Sequence, residues 1–286
     1  MNFNKPGPGV RKDLPKKRRF IVFFEIYFRK FWKLIQANLL FCAACFPFFI
    51  PLLFLLTSKI EVNYIYLIGF LPIAGIGPAI AGFTYILRNF AREQHAFIWM
   101  DFRDTYKSNW KQATLVTLIN IIVGTVLYMV ISFYYANLHK GQLMVVPFSL
   151  SLVIAAIFIF VQYYLYTMLI TFDLTTRQLY KNAVIFAVVG LGKNIVTTLI
   201  CGIIVLLIYA FKPLTLALIP FIFLATVGLI ISFNSWPLIE KHLMPKTEGD
   251  EEYGAETDSE ESSKNADQGR TVEQDHIFED SNPDKE

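Results

Sequence analysis

Few side chains in this sequence could do chemistry, and the cysteines are the first to consider. Cys42 and Cys45 are separated by two alanines, a spacing found in redox and metal-binding pairs. Such sites need a polar, accessible thiolate and, for a metal, further ligands. Both residues, like Cys201, lie inside apolar blocks. We interpret all three as small apolar side chains rather than as a redox or metal half-site, and an odd number of cysteines predicts no disulfide framework.

Acidic residues form the second candidate group. Asp101, Asp104 and Glu93 could be acid/base groups or metal ligands, but the neighbouring His95 has no second histidine or cysteine beside it. We therefore interpret them as a solvated polar face. The sequence also lacks the common hydrolase, metalloprotease, phosphate-loop and dinucleotide-binding fingerprints. No catalytic, cofactor-binding or metal-binding residue is predicted, and no enzymatic activity is expected.

A glycine- and proline-rich motif interrupts an apolar block at Leu71–Gly82. Its prolines remove backbone donors, and its small residues recur four apart, which lets another helix approach closely in lipid. Pro78 also suits the first turn of a new helix. Two interpretations stay open, a tightly packed kink and a break that lines a substrate path as in transporters. The residues of this motif are Pro72, Gly75, Gly77, Pro78, Ala79 and Gly82.

The elements that must position these residues are membrane spans, because 55% of the 286 residues are hydrophobic and they fall in blocks. Each block is long enough to cross about 30 Å of hydrocarbon. The fold class predicted is all-α, a polytopic membrane helix bundle. Its six transmembrane helices are expected at residues 39–57, 62–87, 113–136, 143–172, 194–211 and 214–236.

Basic residues alternate between the connecting segments. Lys and Arg number ten before span one, then one, five, one, three and one in successive loops, and five after span six. By the positive-inside rule, both termini and the two longer loops are cytoplasmic. The predicted location is the cell membrane, with the protein crossing it several times. No Asp, Glu, Lys, Arg or His lies inside a span away from its ends.

Polar side chains inside the spans are expected to form hydrogen bonds between helices, the alternative being contacts to a ligand. These side chains are Asn120, Gln162, Tyr163, Tyr164, Tyr166, Asn234 and Ser235.

Amphipathic helices are predicted on the cytoplasmic side. Residues 18–36 place seven apolar, mostly aromatic side chains opposite Glu25, Arg29, Lys33 and Gln36, which predicts an interfacial membrane anchor rather than a lipid-specific or partner site. A second helix begins near Ile98, with aromatic residues on one face, a basic edge for lipid phosphates, and Thr105 on the opposite, polar face. Its interface residues are Trp99, Phe102, Arg103, Tyr106, Lys107, Trp110 and Lys111.

A third cytoplasmic helix is expected from Thr175 to Gly190. Thr175 and Gln178 have the spacing of a capping box. The run from Ala183 to Val189 is more apolar than a free loop tolerates, so this helix should lie half in the bilayer or packed under the bundle.

The two ends of the chain differ in charge. Residues 1–17 read as a disordered basic leader, and residues 246–286 as a disordered acidic cytoplasmic tail with fifteen acidic and four basic residues. The membrane domain is placed at residues 18–245. The bilayer, with its anionic inner leaflet, is the expected partner; no nucleic-acid partner is predicted, and no oligomeric state is assigned.

Three stretches resemble the YesL-like family of bacterial membrane proteins, a domain of unknown function. They are Gly77–Gly82, Leu87–Glu93 and Phe102–Ala113, supported by Asn38–Leu40 and Thr176–Ala183. The resemblance covers roughly residues 20–240. It implies a small multi-span protein with a role around carbohydrate import, and it implies no catalytic residue.

The function expected from these features is that of an accessory or regulatory component of a carbohydrate or other solute uptake system, with partner proteins bound through the cytoplasmic helices. The alternative is a small transporter or channel whose pathway lies at the broken second span.

Overall fold

The structure is a computed structural model that describes residues 18–57, 71–211 and 218–244. The predicted leader, the junctions at 58–70 and 212–217, and the acidic tail lie outside the described residues. Every secondary-structure element of the described residues is helical. The α-helices are α1 Arg19–Arg29, α2 Phe31–Thr57, α3 Gly77–Ala91, α4 Ile98–Ser108, α5 Trp110–Ala136, α6 Val145–Leu169, α7 Thr176–Val189, α8 Leu191–Ala210 and α9 Leu224–Leu243.

Shorter helical segments precede three of these helices. A 3-10 helix, Leu71–Ile76, leads into α3, and a π-helix, Ile219–Phe223, leads into α9. Two 3-10 turns, Leu138–Lys140 and Gln142–Met144, join α5 to α6. The chain divides into two units at residue 239, and the described part of the second unit is residues 240–244.

Five described helices are long and apolar enough to cross a membrane, so the chain is a membrane protein. The predicted second span, residues 62–87, is only partly described, as the 3-10 segment and α3. Predicted span four, about residues 143–172, corresponds to the candidate span Gln142–Leu169, and α6 ends at Leu169. The candidate spans are Phe31–Pro51, Trp110–Ala136, Gln142–Leu169, Leu191–Ala210 and Ile219–Leu243.

The continuous amphipathic helix predicted at residues 18–36 is wrong in its extent. Helix α1 ends at Arg29, and α2 starts at Phe31 and continues through the first candidate span. The break coincides with two polar contacts to residues just after α3. Arg29 forms a salt bridge with Glu93, and the Lys30 ammonium group donates a hydrogen bond to the Gln94 carbonyl at 2.7 Å. The hydrogen bond to Glu93 raises the pKa of Arg29, whereas partial burial lowers the pKa of Lys30.

Helix α3 lies at the centre of the bundle. Eleven of its fifteen residues are buried, and it packs against α2, α4, α5 and α6. The core around it includes Leu34 from α2, Phe102 from α4 and Leu229 from α9. Small residues on α3 make room for these neighbours, which is the usual basis of helix packing in membranes.

An asparagine joins the first and last spans. Asn38 on α2 is fully buried; its amide donates to the Ile219 carbonyl at 2.9 Å and accepts from the Ala225 N–H at 2.7 Å. The Ile219 carbonyl lies at the start of the π-helix that contains Pro220, and Ala225 lies just after its end, where the regular helical bonding is interrupted. The side chain thus satisfies two backbone groups that lipid could not.

Helix α7 packs against α6. Its predicted capping box is confirmed, because Thr175 accepts from the Gln178 N–H and the Gln178 side chain accepts from the Thr175 N–H. One face of the helix, with Ala183 and Phe186, is buried, and Phe186 stacks on Tyr164 of α6. Packing against the bundle, one of the two predicted alternatives, is therefore observed for this face, and insertion of the other face into the bilayer stays a prediction.

Candidate functional site

The glycine-proline motif is where α3 begins. Residues Leu71–Ile76, including Pro72, form a 3-10 helix, and Pro78 lies in the first turn of α3. Proline is tolerated there because its missing N–H has no helical partner. The chain is thus helical throughout the described motif, and it changes there from 3-10 to α geometry.

The three glycines of the motif each face a different helix. A Cβ on Gly75 would lie 2.2 Å from the ring of Phe48 on α2, and one on Gly82 would lie 2.8 Å from the Phe102 carbonyl oxygen of α4. A Cβ on Gly77 would lie 2.3 Å from the Ala113 carbonyl oxygen of α5. Beside them, Ala79 is fully buried. This geometry is consistent with the packing interpretation of the motif.

Helix α4 forms as expected, but two of its side chains do not lie where they were predicted. Trp99 and Trp110 are 65% and 53% exposed, and Arg103, Lys107 and Lys111 are exposed as well. Phe102, predicted to insert into lipid, is instead buried against α3, and Thr105, predicted on the polar face, is also buried. The reason is that α4 packs on α3 along the side of Phe102 and Thr105, which leaves Trp99 on the outward side of the helix.

A recess of about 520 Å³ lies between the motif and the end of α4. It brings together residues of two separately predicted groups, Gly75 and Pro78 with Tyr106, Lys107 and Trp110. Sequence reasoning missed Phe48 and Thr114, which complete the lining. Thr114 is one helical turn after Trp110, so helical spacing could have found it; no sequence signal connects Phe48 with this site.

The recess is suited to binding. It offers three aromatic rings, the Lys107 ammonium group and the Thr114 hydroxyl, an apolar wall with a few polar groups of the kind that ligand sites use. A small polar or anionic molecule could stack on the rings and accept a hydrogen bond from Lys107. Its lining residues contain no nucleophile paired with a base.

Polar side chains inside the bundle bond to one another across helices. Asn120 of α5 and Gln162 of α6 are paired through both amides, at 2.8 and 3.3 Å. Tyr164 of α6 donates to Asn194 of α8 at 2.7 Å. The interhelical interpretation is thereby confirmed for these predicted residues. Ser235 departs from it, because its hydroxyl is buried without a partner in the described part of the chain.

A half-buried tyrosine extends this network. Tyr180 of α7 donates to the Asn120 side-chain oxygen at 2.9 Å and reaches the Val116 carbonyl oxygen at 3.2 Å. Burial raises the pKa of the Tyr180 phenol, so it stays protonated and a donor. It therefore links α7 to α5.

The other candidate groups have structural roles. Glu93 pairs with Arg29, and Asp101 accepts from the Phe97 N–H at 2.8 Å in the first turn of α4. Cys42 and Cys45 are free thiols. The described residues contain no group of three or more His, Cys, Asp or Glu side chains that could hold a metal ion.

Comparison with known proteins gives one match. A family model described as "Protein of unknown function, DUF624" matches residues 50–131, a minority of the chain. No curated protein and no solved structure matches the chain. The matched segment runs from the end of α2 to α5. It includes six of the seven residues that line the recess, and Phe48 lies just before it. Over that segment the chain is similar to an uncharacterised domain family, and the similarity includes most of the candidate site.

Proposed function

We propose that this protein is an accessory or regulatory component of a carbohydrate or other solute uptake system, and that it binds partner proteins through its cytoplasmic helices. It spans the cell membrane six times with both termini in the cytoplasm, belongs with the YesL-like proteins, and ends in a disordered acidic tail. The alternating basic residues support the orientation. The apolar stretch from Val62 into α3 supports the second predicted span, which brings the five candidate spans to six.

The observation that carries the proposal is the outer face of α7. Val184, Ile185, Val188 and Val189 are each between 45% and 58% exposed on a helix whose other face is fixed against α6. An apolar strip on a rigid helix is a surface that a protein partner can cover. In the proposed orientation this strip lies on the cytoplasmic side, where soluble or membrane subunits of an uptake system can reach it.

The solute class comes from the resemblance alone, which implies carbohydrate import. The interior of the described bundle supports a non-transporting role, because the paired amides of Asn120 and Gln162 and the Tyr164 hydroxyl are occupied by helix contacts. Ion-coupled carriers commonly place charged side chains in their spans. The predicted spans of this chain have Asp, Glu, Lys, Arg or His only near their ends, which also favours a non-transporting role.

Cellular uptake of radiolabelled sugars tests the proposal. Deleting the protein should reduce uptake, and the parent should restore it. A Val184→Lys/Val188→Lys variant should insert normally but fail to restore uptake, because two charges disrupt an apolar interface. Lys181→Gln, on an exposed position of the same helix, is the matched control and should restore uptake fully.

Reconstitution of the purified protein in liposomes tests whether it transports sugar without a partner. The purified protein in liposomes should take up no sugar by itself. Uptake without any partner would overturn the accessory proposal.

A second candidate function is a small transporter or channel with its pathway at the broken second span. The recess of about 520 Å³ favours it, because Gly75 and Pro78 border an open space lined by rings and Lys107. In that case Pro78→Ala should abolish liposome uptake while thermal stability stays level or rises.

A further inference from the structure

Arg88 is a buried cation without a counter-charge in the described residues. It is only 7% exposed. Its Nη1 donates to the Thr171 hydroxyl at 2.7 Å, and its Nε and Nη2 donate to the Asn89 side-chain oxygen at 3.3 and 3.1 Å. Both acceptors are neutral. Within the described part of the chain, Arg88 forms no salt bridge, and a guanidinium has five N–H donors, so one on each terminal nitrogen remains.

A second arginine shares its surroundings. The Arg92 guanidinium carbon is 4.4 Å from the centre of the Trp236 indole ring, and that of Arg88 is 5.7 Å from the same ring. Arg88 also lies over Tyr85, at 4.7 Å. Two positive charges thus lie on one aromatic ring, next to the end of α6 where Thr171 is. Arg92 is half-buried, so the pair is accessible from its side.

Cation–π contacts and neutral hydrogen bonds hold the geometry but leave the charge uncompensated. A buried charge is costly unless it is paired, and two like charges side by side destabilise each other. An anion seated between the guanidinium groups would offset both effects. Phosphate is the best match, because its oxygens accept the parallel N–H donors of a guanidinium fork. A lipid phosphodiester would offset one of the two arginine charges, and a phosphomonoester or free phosphate would offset nearly both.

We infer that Arg88 and Arg92, held on Trp236, bind a phosphate group, supplied either by an anionic lipid headgroup or by a soluble phosphorylated molecule. The inference is independent of the proposed uptake function. It concerns a site distinct from the recess at Gly75, because the two share no residue.

The test is thermal unfolding of the purified full-length protein in two arms. In the soluble arm, inorganic phosphate or glucose 6-phosphate is titrated in neutral detergent against chloride at the same ionic strength. In the lipid arm, the protein is placed in nanodiscs of phosphatidylcholine alone or with added phosphatidylglycerol. A rise in melting temperature in the soluble arm identifies a free phosphate ligand, and a rise only with phosphatidylglycerol identifies a lipid headgroup.

Variants assign the effect to the site. Arg92→Gln should weaken the apparent affinity about tenfold, the loss expected for one charge-assisted contact. Arg88→Lys keeps the positive charge but loses the planar guanidinium fork, so it should weaken the apparent affinity similarly while leaving no neutral side chain at this buried position. Arg177→Gln, an exposed arginine on α7, is the matched control and should bind like the parent. No rise in either arm, or parent-like binding by Arg92→Gln, would overturn the inference.

Discussion

Gly77 provides the sharpest test of how this bundle is packed. A Cβ there would lie 2.3 Å from both the Ala113 carbonyl oxygen and the Thr117 hydroxyl. Ordinary contact begins at 3.4 Å, so α3 and α5 would have to separate by about 1 Å. The neighbour is backbone, which cannot rotate away. The shift would also strain the Thr117–Tyr166 hydrogen bond, which is 2.6 Å long.

The expected cost follows from these contacts. Overpacking typically costs about 1–3 kcal/mol, and a weakened hydrogen bond about 1 kcal/mol. The better helix propensity of alanine returns up to about 1 kcal/mol. Gly77→Ala should therefore lower the free energy of unfolding by about 2 kcal/mol, measured by thermal or denaturant unfolding in detergent.

Gly124 is the matched control on α5. A Cβ there would meet its nearest atom, on the Phe158 ring, only at 3.9 Å. Gly124→Ala should be neutral or stabilising, by up to about 1 kcal/mol. If Gly77→Ala is as stable as Gly124→Ala, the close approach of α3 and α5 is not what this glycine provides, and the packing argument fails.

Three further predictions concern single contacts and use the same unfolding assay. Asn38→Leu should cost about 2 kcal/mol, because two buried backbone groups lose their partner; parent-like stability would show that the π-helix does not need this amide. Glu93 has a φ of 58°, a backbone conformation that suits glycine. Glu93→Gly should therefore be more stable than Glu93→Ala by about 1 kcal/mol, since both lose the pair with Arg29 but only glycine relieves the strain; equal stabilities would refute this. Pro78→Ala should change stability by less than about 1 kcal/mol, because proline is already compatible with the first turn, and a large loss would mean that the ring itself supports the recess.

Block hydropathy was enough to predict an all-helical membrane protein and the approximate places of the five described helices that are long enough to cross a membrane. Long apolar blocks leave little alternative in lipid, since every backbone group must bond within its own segment. Local signals also worked well: Pro78 starts a helix, and Thr175 with Gln178 caps one. These features depend only on residues near one another in the chain.

The faces of α4 could not be predicted in the same way. A helical wheel identifies an apolar side, but a lipid tail and a neighbouring helix are equally apolar, so the pattern does not say which one covers Phe102. The narrow groove at Gly82 decides it. The recess is a similar case, because it depends on which distant elements meet at Gly75. The helix break at Lys30 also depends on distant residues, because it coincides with contacts to residues 93 and 94.

The bond between Asn38 and the π-helix bears on how the protein is made. The two partners are 181 residues apart, and at about 5–20 residues per second the ribosome needs roughly 10–40 seconds to add them. During that interval the first span is already made while its amide has no native partner. In nascent chains released before Ile219, α2 should therefore be less stably inserted in the bilayer than in full-length chains. Synthesis of the start of the last span would then complete the stable insertion of α2.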